Sequence, residues 1–150
     1  MKKLSISFSV LALMLMLFTT SCDKEEETEV EPSEATVKGI VRAVLDVNEG
    51  LEPVSGAKLT FAIDGADLDH NPNPNYPYKE ILRSVTTGSD GSYTISLPAS
   101  QDEIAVEVRF ADFEYDQVQF DNSTERTIYS RNNGMVSIYD GATVIQDYNY

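Results

Sequence analysis

From residue 36 onward, apolar and polar side chains alternate with a period of two in one short run after another. Val37, Val41, Ala43 and Leu45 fall on one face of a run over 37–45, and Leu59, Phe61 and Ile63 on one face of 57–63. Ile104, Val106, Val108 and Phe110 alternate with Glu103, Glu107 and Arg109 over 103–110. A period of two places alternate side chains on opposite faces of a strand, so each run predicts a half-buried β-strand. Further strands are predicted over 81–87, 91–97, 115–120, 127–131, 135–139 and 143–148. No stretch after residue 22 shows a clean 3.6-residue period, so no helix is predicted there.

Between the runs stand turn residues. Ser89-Asp90-Gly91 lies between two strand candidates and predicts a hairpin, because glycine accepts the positive φ of a tight turn. Pro98 closes the second strand by removing a ladder donor. Asn48-Glu49-Gly50, with Glu52-Pro53, reads as a loop, and Asn133-Gly134 and Asp140-Gly141 as turns. Short strands joined in this way predict an antiparallel β-sandwich.

The first 36 residues are different in kind. Lys2 and Lys3 precede an unbroken apolar run from Val10 to Phe18, and Thr19, Thr20 and Ser21 lead into Cys22. Nine apolar residues are too few to span the ~30 Å hydrocarbon core, so 1–21 read as a cleaved signal peptide. Cys22 is the only cysteine, which excludes an intramolecular disulfide. Its setting resembles a bacterial lipoprotein signal, which implies that Cys22 carries the lipid; an ordinary secretory peptide is the alternative. Residues 22–36 read as the lipidated cysteine and a solvated tether, since Asp23 to Glu34 carry seven acids and a proline with almost nothing apolar. Such a tether reaches roughly 20 Å. An acidic run directly after a lipid cysteine also resembles the signal by which some Gram-negative groups send lipoproteins to the outer face. The expected location is therefore the surface of the outer membrane, and residues 37–150 are the expected folded domain.

Charge narrows the partners. The chain holds 25 acidic and 11 basic residues, and removing a segment that contains Lys2 and Lys3 but no acid leaves 9 basic ones, a net −16. Such a surface repels phosphate backbones, so nucleic acid is not expected as a partner. An envelope protein or a glycan remains open.

Several pieces carry a family resemblance: Val37-x-Gly39-x-Val41, Pro53-Val54-Ser55-Gly56-Ala57-x-Leu59, Asp90-Gly91-Ser92-Tyr93-x-Ile95-x-Leu97-Pro98, and Ile104-x-Val106-x-Val108. Over residues 37–120 they resemble the carboxypeptidase regulatory-like domain. The resemblance implies a transthyretin-like sandwich of about seven strands and an accessory or binding role rather than catalysis. Transthyretin-like sandwiches also include a hydrolase and an iron dioxygenase with two histidines and two tyrosines. His70 is the only histidine here and cannot supply that pair.

Candidate chemistry concentrates in one long connection, residues 64–80. Asp67, Asp69, Asn71 and Asn73 alternate with other residues, and Asp64 lies just upstream. Oxygen donors at this spacing suit a Ca²⁺ loop; against that, Pro72 stands where an EF-hand needs glycine and Tyr78 where it needs a bidentate glutamate. The alternative is a solvated loop built from turn residues. His70 lies in the same loop, with no Gly-x-Ser-x-Gly elbow anywhere in the chain to serve it. Tyr76, Tyr78, Tyr129, Tyr139, Tyr148 and Tyr150 suit either a binding face or half-buried strand packing. The expectation is a lipid-anchored, non-enzymatic binding or accessory module without a cofactor. A fimbria-like structural subunit is the alternative, and a hydrolase the least favoured.

Overall fold

The computed structural model describes residues 33–150. The signal segment, Cys22 and the tether up to residue 32 lie outside the described residues. Two sheets form a sandwich-like, all-β arrangement, as the alternation requires.

The organising strand is β1 (Glu34–Asp46), thirteen residues long. It begins before the expected boundary, so Glu34, Ala35 and Thr36 belong to the sheet rather than to the tether. The reason is pairing: Ala35 and Thr36 stand opposite Leu97 and Ser96, and Ala35 is buried. One edge of β1 holds β5 (Ser92–Pro98) and then β2 (Gly50–Pro53), both antiparallel. Its other edge holds β10 (Thr143–Ile145), β11 (Tyr148–Asn149) and, at Asp46, β7 (Phe113–Val118), all parallel. β8 (Thr124–Tyr129) pairs antiparallel with β7 and completes the sheet. The second sheet is antiparallel throughout. It runs β4 (Glu80–Thr86), β3 (Lys58–Asp64), β6 (Ile104–Phe110), β9 (Gly134–Ile138).

Eleven strands are thus present among the described residues, more than the seven or so expected, and three of the pairings are parallel. The excess has a geometric cause: a strand as long as β1 is bordered by several short partners in succession. Residues 50–53, read from the sequence as loop, form β2 opposite Ala43 and Arg42. Pro53 is tolerated there because it ends the strand. A single turn of 3₁₀ helix (Gly65–Leu68) interrupts the β pattern.

The hairpin expected at Ser89-Asp90-Gly91 is half right. The turn forms, with the Gly91 N–H donating to the Gly88 carbonyl at 3.0 Å and Gly91 at φ +71°. The strands beside it do not pair with each other. β4 bonds to β3 in one sheet and β5 to β1 in the other, so the turn crosses between sheets. Thr87 anchors the crossing: its buried hydroxyl donates to the Val54 carbonyl at 2.6 Å and accepts the Ala57 N–H at 2.9 Å.

The inward faces are those the alternation marks. Val37, Val41, Ala43, Leu59, Phe61, Ile63, Val106 and Val108 are fully buried. Each of the larger side chains contributes about 1.5–3 kcal/mol by leaving water. Aromatic contacts span the two sheets, with Phe61 against Tyr93 at 6.1 Å and Phe110 edge-on to Tyr148 at 4.8 Å. Asp147 replaces part of a ladder at the seam of β1 and the C-terminal strands. Its carboxylate accepts the Ile40 N–H at 2.8 Å and an Arg42 guanidinium N–H at 2.9 Å.

Candidate functional site

The connection from β3 to β4 is the one that the fold leaves long. Asp64 and Glu80 pair directly across the ladder, and the Gly65 N–H donates to the Lys79 carbonyl at 3.2 Å. Residues 65–79 therefore leave and return at a closed neck.

Asx-type turns build the loop locally. Asp64 accepts the Ala66 N–H and so caps the 3₁₀ turn, Asp69 accepts from Asn71, and Asn73 accepts from Asn75. Each is a short polar side chain bonding the backbone two residues on, the usual reason for such residues in turns. Tyr78 then braces the loop across five and nine residues: its hydroxyl donates to the Asp69 carboxylate and accepts the Asn73 N–H at 3.0 Å. The Tyr78 hydroxyl and the Asn71 N–H, both donating to Asp69, hold that carboxyl below its ordinary range. The Asp69 hydrogen bond in turn raises the Tyr78 phenol.

This bracing leaves a cleft of 390 Å³ lined by Asp64, Ala66, Pro72, Asn73, Pro74, Tyr76, Pro77 and Tyr78. Tyr76 and Tyr78 meet edge to face, with centroids 4.8 Å apart, and Tyr76 remains 61% exposed.

The suggested calcium ligands are not gathered round a point. Asp64 commits one oxygen to a turn contact, Asp69 commits both of its oxygens to turn and brace contacts, Asp67 lies within the 3₁₀ turn, and Asn71 enters as a backbone donor. No group of three or more Asp, Glu, His or Cys side chains that could hold a metal occurs among the described residues. His70 is exposed on the same loop.

The six tyrosines divide. Tyr129 and Tyr148 are buried and Tyr150 packs beside the core, which is the strand-packing role. Phe113 stacks on Tyr129 at 4.9 Å, and the Tyr150 ring meets Phe113 edge-on. Tyr139, just past the end of β9, is exposed. Tyr76 and Tyr78 share a cleft. The sequence pointed to both, but not to Tyr78 as the brace; a tyrosine nine residues beyond an Asx-turn aspartate gives no local signal.

Comparison with known proteins finds no matching family profile and no match among curated proteins. Among solved structures, the chain is similar to the dioxygenase domain of a dioxygenase carbohydrate-binding protein fusion from the cellulolytic bacterium Streptomyces sp. SirexAA-E. That similarity has 13% identity and a TM-score of 0.41, and covers 82% of each chain. The shaft pilin SpaA from Lactobacillus rhamnosus GG matches at 11% identity and TM-score 0.44, over 78% of this chain and 50% of the pilin chain. The major plantain pollen allergen Pla l 1 matches at 12% identity and TM-score 0.35, over 77% of this chain and 94% of the allergen. These likenesses are distant, and the fold described above rests on the strand ladders themselves.

Proposed function

We propose that this chain is a non-enzymatic, lipid-anchored envelope protein that binds a partner through the loop of residues 65–79. The observation that carries this reading is the cleft on that loop. Its two tyrosines are held in place by hydrogen bonds and ring contact, on a neck that the β3–β4 ladder closes. A loop positioned by a rigid sheet is where binding residues commonly stand, and tyrosine offers contact area at low entropy cost. Kinship with the carboxypeptidase regulatory-like family, and surface display through a lipid on Cys22, belong to the same proposal. An envelope protein or a glycan is the partner class.

The closed neck makes a clean test possible. Replacing residues 65–79 by Asn-Gly should leave the β3–β4 ladder intact, because Asp64 already faces Glu80. The shortened chain loses Leu68 from the margin of the core, so it should still unfold in one transition, at a somewhat lower midpoint, and lose binding to whichever envelope protein or glycan the full chain retains. A shortened chain that binds every such partner as the full chain does would refute the reading.

A second reading, a structural subunit of a surface assembly, draws on the outer strands. β4, β8 and β9 are each bonded on one side only among the described residues. Against pairing through β4, Arg83 stands in register with Phe61 and is exposed, a charge on the inward row of an edge strand that discourages further strand addition. Concentration-dependent polymers by light scattering would favour this second reading.

A further inference from the structure

Backbone donors are absent or already used at seven of the eight residues that line the cleft. Pro72, Pro74 and Pro77 have no N–H to offer. The Ala66 N–H donates to Asp64 and the Asn73 N–H to the Tyr78 hydroxyl. The Tyr76 N–H donates to the Asn73 carbonyl and the Tyr78 N–H to the Tyr76 carbonyl. Of the eight lining residues these are seven, the eighth being Asp64 itself. The Tyr78 hydroxyl proton goes to Asp69. What the lining residues keep available is the Asn73 side-chain amide N–H₂, the Tyr76 hydroxyl, the proline carbonyls, the second oxygen of the Asp64 carboxylate, and the π-face of a Tyr76 ring that is 61% exposed. Asp67 and Asp69 stand on the same loop, in a chain of 25 acids and 11 bases.

A carboxylate and an exposed aromatic face, with no basic side chain among the lining residues, favour a ligand that is rich in donors and positively charged. A guanidinium answers that description: it offers five N–H donors in a plane, accepts none, and stacks on aromatic rings. We infer that the cleft takes an arginine side chain from a basic segment of a partner protein, the guanidinium lying against Tyr76 and bonding Asp64. The inference rests on the binding reading above and names its ligand class. Because ring contact with the braced Tyr78 holds Tyr76 in place, little side-chain freedom is lost when the cation arrives.

The probe is a blocked tri-arginine peptide, titrated into the full-length chain in a neutral detergent and followed through backbone amide resonances. The same peptide with citrulline in place of arginine keeps the shape and loses the charge. Tri-arginine should shift the amides of Ala66, Asn73, Tyr76 and Tyr78 in a saturable way, and citrulline should bind at least threefold more weakly. Tyr76→Leu keeps bulk and net charge but removes the ring quadrupole, and it should weaken tri-arginine at least threefold. Tyr76 is mostly exposed, so an unchanged thermal unfolding curve confirms that the variant is folded. Equal affinity in Tyr76→Leu overturns the inference. So do shifts centred on Glu114 and Asp116 of β7, which would signify diffuse attraction to an acidic surface. Neutral cello- and chito-oligosaccharides, run in parallel, separate the two proposals. If they move the loop amides and tri-arginine does not, the arginine inference falls and the binding reading stands; if neither moves them, the arginine inference falls and the replacement of residues 65–79 decides the binding reading.

Discussion

Gly91 and Gly141 have nearly the same backbone and quite different surroundings, with φ of +71° and +70° respectively. An alanine at either site pays the left-handed penalty, about 1–2 kcal/mol. At Gly141 that is the whole cost, because nothing lies within 4 Å of an added Cβ. At Gly91 the Cβ would meet the Val41 carbonyl oxygen at 2.7 Å, the Pro53 Cβ at 2.9 Å and the Val54 nitrogen at 3.0 Å. Two of those atoms are the partners of one hydrogen bond, Val54 N–H to Val41 carbonyl at 2.9 Å, and the Val41 N–H itself donates to the Gly91 carbonyl. The intruding methyl must therefore part backbone from backbone rather than displace a flexible side chain. Overpacking of this kind costs about 1–3 kcal/mol, so Gly91→Ala should total about 2–5 kcal/mol against about 1–2 for Gly141→Ala. With a urea slope of about 1.5 kcal/mol/M, the two midpoints should differ by about 0.7–2 M. The assay is equilibrium urea unfolding of the two variants and wild type. Coincident midpoints for Gly91→Ala and Gly141→Ala would refute the argument that the crossing turn is wedged against β1 and β2. Gly50, the first residue of β2, has φ +89° with open space around it, so Gly50→Ala should track Gly141→Ala.

Thr87→Val is nearly isosteric but leaves the Val54 carbonyl and the Ala57 N–H without their buried partner. A loss of about 1–3 kcal/mol is expected by urea unfolding, and a neutral result would place water or another donor there. A fragment beginning at residue 37 lacks Glu34, Ala35 and Thr36, which pair with Pro98, Leu97 and Ser96. It should melt below a fragment beginning at Ser33, and equal melting temperatures would show that the start of β1 adds nothing. Burial raises the phenols of Tyr93, Tyr148 and Tyr150 above the ordinary value near 10. A group whose folded pKa is raised contributes stability that is complete below the unfolded pKa and is lost as pH rises through the folded one. Alkaline titration should therefore show a late class of phenolates appearing together with unfolding above about pH 10; full ionisation with unchanged circular dichroism would contradict it. Cys22→Ala should release the chain from the membrane fraction or leave its precursor uncleaved, and unchanged lipid labelling would end the claim of acylation at Cys22.

The sequence alone determined where most strands lie and which of their faces are inward. Leu59, Phe61 and Ile63 on β3, and Ile104, Val106 and Val108 on β6, are buried as their alternation requires, because a period of two leaves a strand no other way to hide them. Turn chemistry is equally local, so Gly91 and the Asx turns of the 64–80 loop were legible from residue type. Pairing is not local. A tight turn constrains the residues at its corner, but whether the strands beside it join one ladder or cross between sheets depends on partners far along the chain. β1 claimed β5 and β3 claimed β4, which turned an expected hairpin into a crossing. Gly39 shows the same limit. Its φ is not left-handed; it must be glycine because the Gln146 carbonyl oxygen, more than a hundred residues away in sequence, lies 1.9 Å from where a Cβ would stand. Gln146 is held there by its N–H to the Lys38 carbonyl and by the Tyr93 hydroxyl on its own carbonyl. The cleft divides in the same way: its prolines, tyrosines and acids could be read from the sequence. Only the folded loop, with Tyr78 reaching back to Asp69 and Asn73, gathered them round one cleft and engaged most of its backbone donors.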